Sequence, residues 1–240
     1  MATVSISGGD HSITLYGNSS VYAGNGNDTI TILGNGVVEA GKGRDEISVL
    51  SQGHITVGGG HDTVNLLGSG TITEFGKGGH DTINLGSGND TIFEAGHATV
   101  HGLFGSATID GGSIAFINAG QTHEESVVSG SATLLGGAFT NEFVGGSGKN
   151  LMIGSMGFDT MTGGSGKNIF EFDGGGHHVI TNFVSGQDKL YVEGHSLAYL
   201  ESHKDITSTN GITTITLDGG ATKIVIHGTV NSTDFIGKKP

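Results

Sequence analysis

The chain contains no cysteine and no tryptophan, and only one of its 240 residues is proline. Without cysteine it can form neither a disulfide framework nor a zinc site with thiolate ligands. Its 10 basic residues against 23 acidic ones give a net charge of −13, which argues against nucleic acid as a partner. No stretch of about 18 apolar residues is present, so we expect no insertion into a membrane.

Glycine, by contrast, is abundant, with 47 copies in the chain. Its average share in proteins is only about 7%. A flexible linker can have such a composition, but apolar residues still make up 34% of this chain and are regularly spaced. The combination indicates an ordered repeat.

A Gly-x-Gly-x-Asp motif recurs along the first half of the chain, as GNGND, GKGRD, GGGHD, GKGGHD and GSGND. The steps between successive motif aspartates are 17, 17, 19 and 9 residues. A repeat this short predicts a solenoid, in which each coil buries its apolar face against neighbouring coils. The aspartates are Asp28, Asp45, Asp62, Asp81 and Asp90, and the glycines are Gly24, Gly26, Gly41, Gly43, Gly58, Gly60, Gly76, Gly78, Gly86 and Gly88.

The residues after each of the first four motif aspartates alternate between apolar and polar. After Asp28, for example, Ile30 and Ile32 flank the polar Thr31, which predicts a strand with one buried face. A second short strand follows a second glycine turn, with Val38 as its apolar position. We therefore predict an all-β fold whose coils each contain two short strands and two turns.

One acidic residue per coil would place carboxylates in a stack along one edge of the solenoid. Such carboxylates repel one another, so the pattern calls for a counter-charge. Glycine turns allow backbone carbonyl groups to approach a shared ion, and a hard divalent cation prefers oxygen ligands. The motif therefore predicts a metal site that recurs from coil to coil.

The motifs resemble the hemolysin-type calcium-binding repeats, also called RTX repeats, whose nonapeptide is GGxGxDxUx with U apolar. The best matches are three consecutive nonapeptides, GGSGKNLMI from residue 145, GSMGFDTMT from 154 and GGSGKNIFE from 163. The resemblance implies a right-handed parallel β-roll that binds several Ca²⁺ ions between successive coils, through turn carbonyls and the Asp carboxylate.

Position arithmetic divides these candidate calcium ligands between two edges. Asp90 follows Asp81 by nine residues, so we place it on the opposite edge. Asn150 and Asn168 stand where the motif has Asp and are 18 residues apart, so they share an edge. An amide oxygen carries no charge, and we expect this second row to bind calcium weakly. Asp159 lies on the other edge without an Asp neighbour.

The repeats divide the chain into a solenoid and a terminal region. A solenoid needs a cap, because its last coil exposes apolar surface and unpaired strand edges. The sequence TNGITTITLDGGATKIVIHG in the terminal region predicts a hairpin that turns at Asp218. We therefore predict a solenoid at 1–176 and a β cap at 177–240. Within the solenoid, calcium-binding coils are predicted at about 8–95 and 145–173, and metal-poor coils at about 97–144. The stretch THEESV at 122–127 is predicted to protrude from the solenoid.

The terminal region also bears on localisation. MATVSISGGDHSITL has neither the basic segment nor the apolar run of a cleaved signal peptide. The segment HHVITNFVSGQDKLYVEG looks like the region after the repeats in secreted RTX proteins. The resemblance implies export by a type I secretion machinery, with the signal in residues 177–240, and hence an extracellular or cell-surface location.

No catalytic motif stands out, since GxSxG, HExxH and GxxxxGK[ST] are all absent from the sequence. We therefore predict a protein that is not an enzyme. The first hypothesis is a structural protein that self-associates outside the cell, as a filament, surface layer or biofilm matrix. The alternative is a calcium-dependent module or adhesin that binds polysaccharide or a surface. A third hypothesis, an accessory module of a polysaccharide-modifying enzyme, ranks below these two. Among the 12 histidines, His61, His80, His177 and His178 are interpreted as solvated turn residues.

Overall fold

The computed structural model describes residues 1–76, 79–118, 124–138, 140–237 and 240, with the backbone alone at 94–95, 103–106, 109–118 and 124–129. The predicted ligand Gly78 lies outside the described residues. The chain forms two compact units, Met1–Ile117 and Asn118–Pro240. No helix in the described part of the chain is long and apolar enough to span a membrane.

The N-terminal unit consists of strands joined by glycine turns. Its strands are β1 (Ala2–Ser5), β2 (Ser12–Tyr16), β3 (Ser19–Tyr22), β4 (Thr29–Leu33), β5 (Gly36–Glu39), β6 (Glu46–Val49), β7 (Gly53–Val57), β8 (Thr63–Leu66), β9 (Gly70–Glu74) and β10 (Asp81–Asn118). One parallel sheet runs through β2, β4, β6 and β8 to residues 82–85 of β10. The other runs through β1, β3, β5, β7 and β9 to residues 90–93.

The pairing register places equivalent apolar residues of successive coils on top of one another. Ile30 pairs with Ile47, Ile47 with Val64 and Val64 with Ile83, and all four are at most 1% exposed. Burial of one such side chain contributes about 1.5–3 kcal/mol. The prediction of two strands and two turns per coil is confirmed in this unit.

The C-terminal unit repeats this arrangement with larger core residues. Its elements are β11 (Glu124–Leu135), β12 (Thr140–Val144), β13 (Leu151–Gly154), β14 (Phe158–Thr162), β15 (Ile169–Phe172), β16 (Gly176–Ile180), β17 (Lys189–Val192), α1 (Leu197–His203), β18 (Ile206–Thr209), β19 (Ile212–Leu217) and β20 (Thr222–His227). One parallel sheet contains β11, β12, β14, β16 and β20, and the other contains β11, β13, β15 and β17. Phe143, Met152, Met161 and Phe170 are completely buried between them. Both units are thus parallel β-solenoids, and the predicted all-β class is confirmed.

Two features of this unit differ from the sequence predictions. Residues 124–127 pair in parallel with β12, so the prediction that 122–127 protrudes is wrong for these four residues, while 122 and 123 lie outside the described residues. Helix α1 was not predicted, although Ser196 caps it by accepting a hydrogen bond from the Tyr199 N–H.

The end of the chain combines solenoid and hairpin pairing. Strands β19 and β20 pair antiparallel around a turn at Asp218–Gly220, which confirms the predicted hairpin. Strand β20 also pairs in parallel with β16. Parallel pairing therefore continues beyond residue 176, and the boundary at 176/177 falls inside β16. The hairpin covers one edge of β20, because β19 pairs with it there.

Candidate metal centres

Four motif aspartates of the N-terminal unit form one continuous row, which we call the Asp row: Asp28, Asp45, Asp62 and Asp81. The first three come directly before β4, β6 and β8, and Asp81 begins β10. Their side chains face inward at the turn, and the four residues are only 1–5% exposed. Strand stacking thus brings together side chains that are 17 or 19 residues apart in sequence.

One oxygen of each carboxylate in the Asp row is used by the backbone of the preceding coil. The Asp28 N–H donates to Asp45 Oδ1 over 2.9 Å, the Asp45 N–H to Asp62 Oδ1 over 2.8 Å, and the Asp62 N–H to Asp81 Oδ1 over 2.8 Å. His11 takes the position before Asp28, and both its backbone N and its Nδ1 lie 3.0 Å from Asp28 Oδ1. His11 was not predicted from the sequence, although it precedes Asp28 by the same 17 residues.

The second carboxylate oxygens provide the chemical reason for a cation. Oδ2 of Asp28, Asp45 and Asp62 is buried and has no hydrogen-bond partner. A buried polar group without a partner costs about 1–3 kcal/mol, and a charged one costs more. A divalent cation with oxygen ligands would satisfy these atoms and neutralise the stacked charges.

Raised pKa values in the Asp row also indicate that its negative charges lack compensation. Burial raises the pKa of Asp45 to about 6, and the hydrogen bond from Asp28 opposes this only in part. Burial raises the pKa of Asp62 to about 7, with further contributions from the charges of its acidic neighbours. The pKa of Asp81 is raised for the same main reason. The ionised row therefore needs positive charge at neutral pH.

Glycine turns place carbonyl oxygens at the same edge. A Cβ atom on Gly60 would lie 1.6 Å from the Gly43 carbonyl oxygen, and one on Gly43 would lie 1.8 Å from the Gly26 oxygen. Only glycine permits such a close approach between coils. Carboxylate and carbonyl oxygens together are the ligand set that calcium prefers. The residues present therefore fit calcium: the Asp row would supply charge, and the turn glycines would supply neutral oxygens.

Asp90 lies in the other sheet of the N-terminal unit, opposite the Asp row. It pairs with Gly70, whose N–H donates to Asp90 Oδ1 over 2.8 Å. Burial raises its pKa to about 6. The neighbouring turn glycine Gly88 has a φ of +135°, a conformation that favours glycine. Asp90 thus lies apart from the Asp row, in the other sheet, as its nine-residue spacing from Asp81 predicts.

In the C-terminal unit, amides replace carboxylates along one edge. Asn150 Nδ2 donates to Asn168 Oδ1 over 2.9 Å and also lies 3.2 Å from the Gly148 and Gly163 carbonyl oxygens. The amide N–H groups therefore occupy oxygens that a cation would otherwise use. Asn168 N–H in turn donates to Asp188 Oδ1 over 2.9 Å. Asp188 was not predicted from the sequence, and its only sequence signal is the Gly-x-Asp at 186–188.

On the opposite edge of this unit, a histidine approaches a buried carboxylate. His178 Nδ1 lies 2.9 Å from Asp159 Oδ2, and Asn141 Nδ2 donates to Asp159 Oδ1 over 2.6 Å. All three residues are at most 1% exposed. The interpretation of His178 as solvated is therefore wrong, because alternation in β16 directs it inward, whereas His177 points outward.

The two turn histidines named in the N-terminal unit are exposed, as predicted. His61 and His80 are exposed beside the Asp row, and their rings stack with centroids 6.3 Å apart. His80 also stacks on His97, at 5.1 Å. Within the described ranges, no three His, Cys, Asp or Glu side chains form a ready-made metal site, so a cation needs the turn carbonyls as well.

These features define a parallel β-solenoid with stacked carboxylates and glycine carbonyls at its edges. A family model, the RTX calcium-binding nonapeptide repeat, matches the chain in four copies at residues 6–31, 75–93 and 144–176. The chain is therefore a protein with hemolysin-type RTX calcium-binding repeats, and such repeats bind Ca²⁺ at multiple sites. No curated protein matches the sequence. The matched ranges leave out Asp45 and Asp62, although the structure places both in the same row as Asp28.

Proposed function

We propose that this protein is a secreted calcium-binding structural protein, which folds on meeting extracellular calcium and then assembles outside the cell as a filament, surface layer or biofilm matrix. The observation that carries the proposal is the set of three buried, unpartnered carboxylate oxygens in successive coils. The proposed ligands are the motif aspartates and turn glycines, and the weaker row at Asn150 and Asn168 is proposed to contribute little.

Calcium and folding are coupled in this proposal because the ligands meet only in the stacked coils. Asp45 and Asp62 are 17 residues apart in the chain and are connected through one hydrogen bond in the solenoid. An ion that binds only the folded state stabilises it, by about 2.7 kcal/mol at a concentration 100 times its Kd. Without calcium, repulsion along the Asp row opposes folding.

This coupling suits export. A chain kept unfolded at low internal calcium can be threaded through a type I secretion machinery, and it would fold in the calcium-rich exterior. We propose that residues 177–240 carry the secretion signal, as the resemblance to secreted RTX proteins implies.

Two features of the outer surface support assembly. Asn65 Nδ2 donates to Ser48 Oγ over 3.1 Å and Asn84 Nδ2 donates to Asn65 Oδ1 over 2.7 Å, so polar side chains form a ladder along one sheet. Beside this ladder, at the end of each strand, lies a strip of partly exposed apolar residues. The strip consists of Tyr16, Leu33, Leu50 and Leu67, which are 38–76% exposed.

The same polar ladder also supports the second candidate, a calcium-dependent adhesin. Regular rows of hydroxyl and amide groups can hydrogen-bond to a polysaccharide or to another patterned surface. We place this candidate second because the apolar strip beside the ladder favours protein contacts. Neither candidate requires catalysis, and the matching family model describes a binding repeat.

Calcium titration and imaging test the proposal together. Far-UV circular dichroism of calcium-depleted protein should gain β-structure as calcium is added, and electron microscopy should then show ordered polymers. Leu50→Lys should abolish the polymers but keep calcium-dependent folding, whereas Thr207→Lys, on the exposed face of β18, should change neither. A fully folded spectrum without calcium contradicts the folding proposal. Dispersed monomers with calcium, combined with binding to a glycan array, would favour the adhesin.

A further inference from the structure

Glu74 is an acidic residue at a core position. It ends β9 and pairs in register with Val57 of β7, which is 1% exposed. Glu74 itself is only 4% exposed. A carboxylate therefore replaces an apolar side chain inside the solenoid, at the end of the strand that leads to the next Asp turn.

The Glu74 carboxylate faces the turn that carries the Asp row. A Cβ atom on Gly76 would lie 2.7 Å from Glu74 Oε1, which places this oxygen against the turn backbone. The charge of Glu74 acts on both Asp62 and Asp81 and raises the pKa of each. Three buried carboxylates therefore interact electrostatically at this turn, although within the described residues they do not by themselves converge into a metal site.

The unsatisfied atom of this group belongs to Asp62. Its Oδ2 is buried and makes no hydrogen bond, while Oδ1 accepts from the Asp45 backbone. Asp45 is equally buried, but Glu74 is not among the charges that act on it. The interval between Asp62 and Asp81 thus contains one buried carboxylate more than the interval before it, while the charges of the exposed His61 and His80 lower the pKa of Asp81.

We propose that Glu74 makes the interval between Asp62 and Asp81 the tightest calcium site of the Asp row. The inference rests on the proposed function, in which calcium binds this row. Glu74 supplies charge close to the ion, and Asp62, Asp81 and turn carbonyls supply the ligands, because affinity for calcium rises with the number of nearby carboxylates. The family nonapeptide GGxGxDxUx contains no acidic residue at the position of Glu74.

Two variants separate this role from a merely structural one. Glu74→Val introduces the residue that the preceding coil has at Val57, and Glu74→Gln keeps the shape of the side chain while removing its charge. The exposed Glu46 of β6 offers a matched control, Glu46→Gln. Full-length protein is titrated with CaCl₂ by isothermal calorimetry, and its thermal unfolding is followed with and without calcium.

Both Glu74 variants should weaken the tightest calcium-binding step by about tenfold. They should also raise the melting temperature of the calcium-free protein, because a buried like charge is removed. The Glu46 control should change neither quantity. Unchanged calcium affinity, or equal destabilisation with and without calcium, would overturn the inference. If the wild-type protein shows no response to calcium, the proposed function itself fails, so the two failures can be told apart.

Discussion

Calcium-depleted protein should fold better as the pH is lowered, which reverses the usual behaviour of acidic proteins. Burial raises the pKa values of Asp45 and Asp62 above the ordinary aspartate value of 3.8, to about 6 and about 7. A carboxyl with a raised pKa in the folded state binds protons more readily there than in the unfolded chain. Its stabilisation is complete below about pH 4 and is lost as the pH rises through 6 to 7.

The size of this effect follows from the pKa of Asp62. A change from 3.8 to about 7 corresponds to about 4 kcal/mol, at about 1.4 kcal/mol per pKa unit. Solvent close to the turn edge screens the charge, and we take about half of this value. Asp45 and Asp90, with pKa values of about 6, each add about 1.5 kcal/mol after the same reduction. The loss between pH 4 and pH 7.5 is comparable with the whole stability of a small domain.

The assay is urea unfolding of the full chain, followed by circular dichroism between pH 4 and pH 7.5. Calcium should be removed with a chelating resin, because soluble chelators weaken in acid. Light scattering must accompany the measurement, since the sequence pI is about 5.2. Asp62→Asn should flatten the pH dependence, while the exposed Asp10→Asn should leave it unchanged. A calcium-free protein whose stability rises steadily from pH 4 to pH 7.5 would refute this reasoning.

Three further predictions concern single positions in the two units. Gly60→Ala should lower the free energy of unfolding, measured with urea, by at least about 2 kcal/mol, because the new Cβ atom would lie 1.6 Å from a carbonyl oxygen. The control Gly237→Ala should be neutral, because its Cβ atom would meet no other atom within 4 Å. His178→Leu leaves buried Asp159 without the imidazole and should cost about 3–5 kcal/mol. His178→Leu should lower the free energy of unfolding equally with and without calcium. If calcium restores the stability of this variant, Asp159 binds calcium and the prediction is wrong. Asn168→Asp should introduce calcium-dependent thermal stabilisation into the C-terminal unit, and an unchanged melting temperature with calcium would contradict this.

Much of the Asp row could be predicted because the fold is periodic. In a parallel solenoid, residues one repeat apart become neighbours, so the 17-residue step between Asp28 and Asp45 already states which residues meet. Alternation after each Asp likewise indicates which side chains point inward. The separate position of Asp90 follows from the same arithmetic, and the structure places it in the other sheet.

Residues outside the motif were harder to assign. Glu74 follows Ile72 by two residues, so strand alternation could have placed it inside, but its charge favoured an exposed position. His178 and Asp159 are 19 residues apart, and their contact depends on how the chain turns between β14 and β16. Asp188 follows Asn168 by 20 residues in a turn that lacks the full motif.

The sequence by itself determined the all-β class, the number of strands per coil and the edge on which each motif aspartate lies, because these depend on spacing alone. Only the tertiary structure decided how the buried charges are balanced. It leaves three Asp row oxygens without a partner, pairs Asp159 with His178, and places Glu74 beside Asp62 and Asp81. Balance of charge depends on distance and burial in three dimensions, and residues far apart in the chain determine both.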